Sequence, residues 1–140
     1  MNIEVNLFTL LAAVVASMLI GYLWYSPMLF GKPWMKLMGI SKEDMKGAKK
    51  GMTKMYTLSA VAAFVTAYVL FHVSVMSQKS FGYSPLDAGL SSAFWVWLGF
   101  VAPVQFTDVL FGGKKFHLFA INTGYQLASL LVMGVVFGLL

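Results

Sequence analysis

Nine of this chain's ten basic residues fall in two segments, and those segments alternate with four long apolar runs. That alternation constrains the fold more than any single motif does. Val5 to Gly31 carries no charge, and Met55 to Gln78 carries none apart from the titratable His72. Ala88 to Thr107 and Leu118 to Leu140 also carry none. Each run supplies the roughly 20 residues needed to cross a hydrocarbon core about 30 Å thick. Only 11% of the residues are charged and the mean hydropathy is +0.78. A soluble domain typically has about a quarter charged residues, so this chain has too little polar surface to cover a water-facing globule. The reading is an all-α, four-span transmembrane helical bundle forming one integral membrane domain over residues 1–140. Its spans are expected at about 5–25, 56–77, 86–110 and 116–139, with an interfacial segment at about 28–54. The first run is read as a retained span, because Met1-Asn2-Ile3-Glu4 lacks the basic start of a signal peptide.

Charge then orients the bundle. Lys32, Lys36, Lys42, Lys46, Lys49, Lys50 and Lys54 lie between spans one and two, and Lys114 and Lys115 between spans three and four. The connection between spans two and three holds only Lys79. Lysine accumulates on the cytoplasmic side. The two Lys-rich segments share a side only if the chain crosses four times, so charge and span count agree on N-out/C-out. The expected location is a bacterial inner membrane.

The net charge of +5 points to anionic headgroups rather than nucleic acid, because the lysines border membrane spans. Lys42, Lys46, Lys49, Lys50, Lys54, Lys114 and Lys115 are the expected headgroup contacts. There is no Cys, so disulfides and thiolate chemistry are excluded, and no Arg, so bidentate anion recognition by Arg is absent.

Small residues recur at helical spacing. Ala13, Ser17 and Gly21 line one face of span one; Ser59, Ala63 and Ala67 do so on span two. Span four carries Ala120, Gly124 and Ala128, then Gly134 and Gly138. Such stripes let helices approach closely in lipid, within one chain or between chains. A homo-oligomer is one assembly they would serve; no protein partner is indicated.

Local signals place the connections. Pro33 to Met38 reads as a short interfacial helix with Pro at its first position and Gly39 at its end. Ser41-Lys42-Glu43-Asp44 reads as a capping box. A helix from there aligns Met45, Ala48, Met52 and Met55, with lysines around much of the rest, as a basic amphipathic helix running into span two. Ser84-Pro85-Leu86-Asp87 starts span three. Pro103 lies inside that span and frees the Gly99 carbonyl, and Gly112-Gly113 ends it. Leu29-Phe30-Gly31-Lys32 and Leu110-Phe111-Gly112-Gly113-Lys114 form a faint echo, read as two similar helix ends rather than a repeat.

The run Gly21-Tyr22-Leu23-Trp24-Tyr25-Ser26-Pro27, then Phe30-Gly31-Lys32-Pro33-Trp34, is distinctive. With the Met- and Lys-rich linker and Asn122-Thr123-Gly124-Tyr125, it resembles the small bacterial membrane protein family catalogued as domain of unknown function 1761. The resemblance covers nearly the whole chain. It implies a bacterial four-span protein, brings no activity or catalytic residue, and draws attention to Trp24 to Trp34.

Few residues carry chemistry. Asp108 sits near the C-terminal end of span three, where its charge opposes the helix dipole by about 0.3–1 kcal/mol. Lys114, Lys115 or His117 should compensate, and an interfacial ion pair is favoured over a proton or cation relay. Asn122, Tyr125 and Gln126 share a side of span four, and Gln105 and Thr107 lie on span three. Gln105, Asp108, Asn122, Tyr125 and Gln126 form the candidate polar path; helix–helix hydrogen bonding is the plainer reading. His72 and His117 face opposite membrane sides. Met35, Met38, Met52 and Met55 lack the neighbouring Cys or His that would favour copper. No metal, cofactor or catalytic set is expected. The leading expectation is a non-enzymatic module that self-associates or binds a partner. A small oligomeric transporter or channel with a polar path between spans three and four is the alternative. It would not be a multidrug exporter of the kind with a carboxylate in its first span, which is absent here.

Overall fold

The structure, a computed structural model, describes residues 3–47 and 51–140. Its helices are α1 (Leu7–Trp24), α2 (Gly31–Met38), α3 (Lys42–Gly47), α4 (Met52–Phe81), α5 (Pro85–Val96), α6 (Ala102–Phe111) and α7 (Phe116–Leu139). A π-helical turn, Trp97–Val101, joins α5 to α6. Among the described residues, four helical stretches are long and apolar enough to cross a membrane: α1, α4, the α5–α6 unit and α7. The protein is an all-helical bundle of four candidate transmembrane helices.

The caps follow the sequence. Asn6 Oδ1 accepts from the Phe8 amide at 3.0 Å and starts α1. Ser84 caps α5, with Pro85 in the first turn and its hydroxyl donating to Asp87 at 2.7 Å. The capping box before α3 closes in both directions: the Ser41 amide donates to Asp44 Oδ2 at 3.0 Å and the Asp44 amide to Ser41 Oγ at 3.1 Å. The Ser41 amide, and after it the Ser41 hydroxyl, hold the Asp44 carboxyl below the ordinary aspartate value. Gly39 takes φ 69° and ends α2, and the Ile40 amide reaches back to the Met35 carbonyl at 2.9 Å.

Three boundaries differ from expectation. The α2 helix begins at Gly31, so Pro33 is its third residue, still within the turn whose amides need no intrahelical acceptor. The second span is 30 residues long rather than ending near residues 56 and 77. At 1.5 Å per residue it outreaches the hydrocarbon core, because nothing between Met52 and Tyr56 breaks a helix. The third span is not one α-helix. The π-helical turn ahead of Pro103 takes up the lost register, and the Ala102 amide donates to the Trp97 carbonyl. Ala48, Lys49 and Lys50, and the side chains of Met45 and Lys46, lie outside the described residues. The expected basic stripe running into α4 falls largely on them.

The core forms where α1, α4, α5 and α7 meet. Leu10, Ala13, Val14, Ala67, Leu70, Ala93, Leu130, Met133 and Phe137 are buried together. The closest packing joins α5 to α7. A Cβ on Gly134 would collide with the Gly89 backbone, and one on Gly138 with Leu86. Small residues thus replace the hydrophobic effect as the means of association in lipid. Ser17, 1% exposed, donates to the Val14 carbonyl at 2.9 Å. Ser74 and Ser92 Oγ are buried without a partner among the described residues. Large apolar residues such as Phe8, Val15, Val65, Phe100 and Val104 point outward, the distribution a lipid surround favours. After the π-helical turn the third span has no buried residue at all.

Candidate functional site

At the lysine-bearing end, residues 24–31 fold into a tight turn. The Leu29 and Gly31 amides both donate to the Ser26 carbonyl, at 3.1 and 2.9 Å, and the Phe30 amide to the Trp24 carbonyl at 3.0 Å. Ser26 Oγ donates to the Leu23 carbonyl at 2.7 Å, so the residue before Pro27 is fixed through side chain and main chain. Gly31 sits so close that a Cβ there would strike the carbonyls of Tyr25 and Ser26.

This turn aims three aromatic rings. Trp24 Nε1 donates to the Ile121 carbonyl on α7 at 3.0 Å, and its ring lies against Gly124. Phe30 packs on Trp24 with ring centroids 4.7 Å apart. The Tyr25 hydroxyl donates to Asn122 Oδ1 at 2.8 Å, and its ring meets Tyr125 and Trp34 edge to face at 5.3 and 5.4 Å. Tyr125 in turn fills the space over Gly21. Gly21 and Gly124, which the sequence places on helix-packing faces, are therefore the seats of aromatic rings from the opposite helix.

The third span joins from the other side. Trp97 Nε1 donates to the Thr123 carbonyl at 2.9 Å, and Thr123 Oγ1 donates to Gln105 Oε1 at 2.7 Å. Past Gln105, the helix reaches Asp108, whose carboxylate is 3.6 Å from Lys114 Nζ. The Asp108 carbonyl accepts from the Gly112 and Lys114 amides as the chain turns through Gly113 at φ 67°. Lys114 supplies the compensating charge that the dipole argument required. The Leu-Phe-Gly echo does not extend to the backbone: Gly31 opens α2, whereas Gly112 and Gly113 close α6.

Between these elements lies a cleft of about 310 Å³. Tyr25, Gln105, Asp108, Lys114, Asn122, Tyr125 and Gln126 line it, over an apolar floor that includes Val109, Leu118 and Phe119. All five residues of the candidate polar path reach this one cleft. Thr107 does not; its hydroxyl turns back to the Val104 carbonyl at 2.6 Å. The Gln105 and Asn122 side-chain oxygens accept from the Thr123 and Tyr25 hydroxyls, and their NH2 groups have no partner among the described residues. Lys42, Lys54, Lys114 and Lys115 are exposed. Ala13, Ser17 and Gly134 are buried inside the chain and Gly138 abuts Leu86, while Ala128 is half-buried. His72 is held by the Tyr68 carbonyl at 2.8 Å on α4, far along the chain from the cleft residues.

Trp97 and Thr123 support the candidate site from behind and were not singled out for it from the sequence. Their signal was present as an indole and a hydroxyl in apolar runs, but only packing shows what each one holds. Tyr25, part of the distinctive run from Gly21 to Pro27, forms a wall of the cleft.

The fold and cleft define a helical, multi-span membrane protein with a polar recess at its lysine-bearing end. The family model for a protein of unknown function, DUF1761, matches residues 8–138, and the chain belongs to that family. Neither the curated proteins nor the solved structures include a match to this chain.

Proposed function

We propose that this protein is a non-enzymatic membrane module that binds a ligand or partner group in the lysine-end cleft, with that end facing the cytoplasm across a bacterial inner membrane. One observation carries the reading. Residues from positions 25, 105, 108, 122, 125 and 126 converge on a single cleft, and the Tyr25 and Thr123 hydroxyls fix two of its amides. Both amides accept across helix contacts through their oxygens, and their NH2 groups have no partner among the described residues. The lysine distribution supports the orientation. Self-association has less support than the stripes suggested, because Ala13, Ser17, Gly21, Gly124, Gly134 and Gly138 meet groups of their own chain or lie buried within it. A homo-oligomer would use another surface.

The test uses the absence of native Cys. Single cysteines replace Gln105, Asn122 and Gln126, and a membrane-impermeant thiol reagent is applied to each side of sealed vesicles. Rapid labelling from the lysine side alone is the expected outcome. Protection at all three positions from both sides makes these residues helix–helix contacts and ends the binding reading.

One feature favours a transporter as a second reading. A second cleft of about 380 Å³ lies at the other end, where Asn6, Thr9 and Gln78 meet Phe71 and Phe137. The buried core around Leu10 and Met133 separates the two. Transport requires solute flux that Asp108→Asn or Gln126→Leu abolishes.

A further inference from the structure

We infer that the lysine-end cleft takes a zwitterionic group, a primary ammonium beside a phosphate or carboxylate, as presented by an aminophospholipid headgroup or by the free headgroup compound. The inference rests on the binding reading above and names its ligand class. Asp108 and Lys114 are the charged side chains lining the cleft, and they are opposite in sign. Their 3.6 Å separation exceeds the about 2.7–2.9 Å of a charge-assisted hydrogen bond. Both are more than half exposed, at 59% and 57%, and exposed pairs of this kind hold weakly. A zwitterion set between them replaces one long contact with two short ones.

The remaining polar groups fix which charge goes where. The Gln105 and Asn122 NH2 groups line the same cleft as donors, as Lys114 does, and all three suit an anion. Asp108 is the matching acceptor for an ammonium with N–H bonds. A simple anion leaves Asp108 facing it unpaired; a simple cation leaves the donors idle.

Size and surroundings agree. At about 310 Å³ the cleft lies at the bottom of the roughly 300–1,000 Å³ range of small-molecule sites. It holds a headgroup, not a whole lipid. Leu110 and Phe111, next to the Asp108 turn, are 60% and 89% exposed and offer apolar surface to a chain outside the cleft.

The experiment reads labelling of Val109→Cys, a lining position with no polar role. The protein is reconstituted in phosphatidylglycerol vesicles, in the same vesicles with phosphatidylethanolamine added, or in phosphatidylglycerol vesicles with soluble phosphoethanolamine. A bound headgroup slows labelling by 1 + [L]/Kd, about tenfold at ten times the dissociation constant. The expected result is slowing by phosphatidylethanolamine or by phosphoethanolamine, lost in Asp108→Asn and in Lys114→Gln. Slowing by the lipid alone identifies a membrane source, and slowing by the soluble compound identifies a solute; either supports the zwitterion. Equal rates in all three preparations, or slowing that survives both substitutions, overturn it while leaving a water-filled cleft in place. No labelling under any condition removes the cleft reading itself. Lys114 lies in an exposed connection, so its variant keeps the test informative if Asp108→Asn folds poorly.

Discussion

At one end of the bundle, Gly134 rests against Gly89 and Gly138 against Leu86, with Phe71 and Phe137 edge to face 5.4 Å apart. At the other end, Trp24, Tyr25 and Trp97 reach α7 through hydrogen bonds of 2.8–3.0 Å, and a cleft remains between them. The first end closes by removing side chains. The second spaces its helices with large rings and tethers them through polar atoms. In lipid both strategies hold helices together, because van der Waals contact and interhelical hydrogen bonds are the forces available there. Only the second leaves room for a ligand. The switch occurs on the third span at the π-helical turn and Pro103: α5 buries Ala88, Gly89, Ser92 and Ala93, whereas α6 buries nothing.

The sharpest way to break this contrast is Gly134→Ile. The new side chain meets Gly89 backbone rather than a movable ring. Overpacking of a tight contact costs about 1–3 kcal/mol and occasionally more, and this site belongs at the upper end because neither partner can yield. The midpoint of thermal unfolding in detergent should fall steeply. Gly124→Ala, which faces the Trp24 ring at 3.1 Å, should cost visibly less. Equal losses at both positions would show that the two ends are packed alike.

A smaller effect is expected from Trp24→Phe. It removes the indole N–H that donates to Ile121 and also the outer ring carbons that lie over Gly124. Interhelical hydrogen bonds in membranes average about 0.6 kcal/mol, with a maximum near 1.7. Stability should drop by that order, and labelling of a cysteine at Asn122 should quicken as the tethered end loosens. An unchanged labelling rate would mean that the indole bond does not set the spacing of α1 and α7.

The smallest effect lies outside the membrane, in the Ser41–Asp44 box. The Asp44 carboxyl is held below its ordinary value of 3.8 by the Ser41 amide and hydroxyl. Its contribution is therefore complete above the ordinary value and is lost as pH falls through the lowered one. A carboxyl-carbon NMR titration should place Asp44 below its ordinary value of 3.8. An unshifted Asp44 would show the box open in solution.

Much of the fold was legible in advance for a physical reason. A hydrocarbon slab demands long apolar runs with all backbone groups satisfied internally, so span number follows from sequence alone. Caps are equally local: Ser41, Ser84, Gly39 and Gly113 act on neighbours within a few residues. Span lengths were less legible, since nothing at Met52 to Met55 marks where membrane ends and helix continues. The polar residues were identifiable one by one, and the i, i+3, i+4 spacing of Asn122, Tyr125 and Gln126 put them on one side of α7.

Their shared destination was not legible. That Tyr25 bonds Asn122, that Thr123 turns Gln105, and that Gly21 and Gly124 seat aromatic rings all depend on contacts between helices about a hundred residues apart or joined through the π-helical turn. Whether a small-residue stripe closes within the chain or between chains also lies beyond periodicity, because the same spacing serves both. The sequence by itself determined how many helices this protein sends through a membrane and where most of them start and stop, since those depend on local backbone chemistry and on transfer from water to lipid. Only the tertiary structure decided which end is sealed and which is open, because that depends on whether each glycine meets a backbone or a ring.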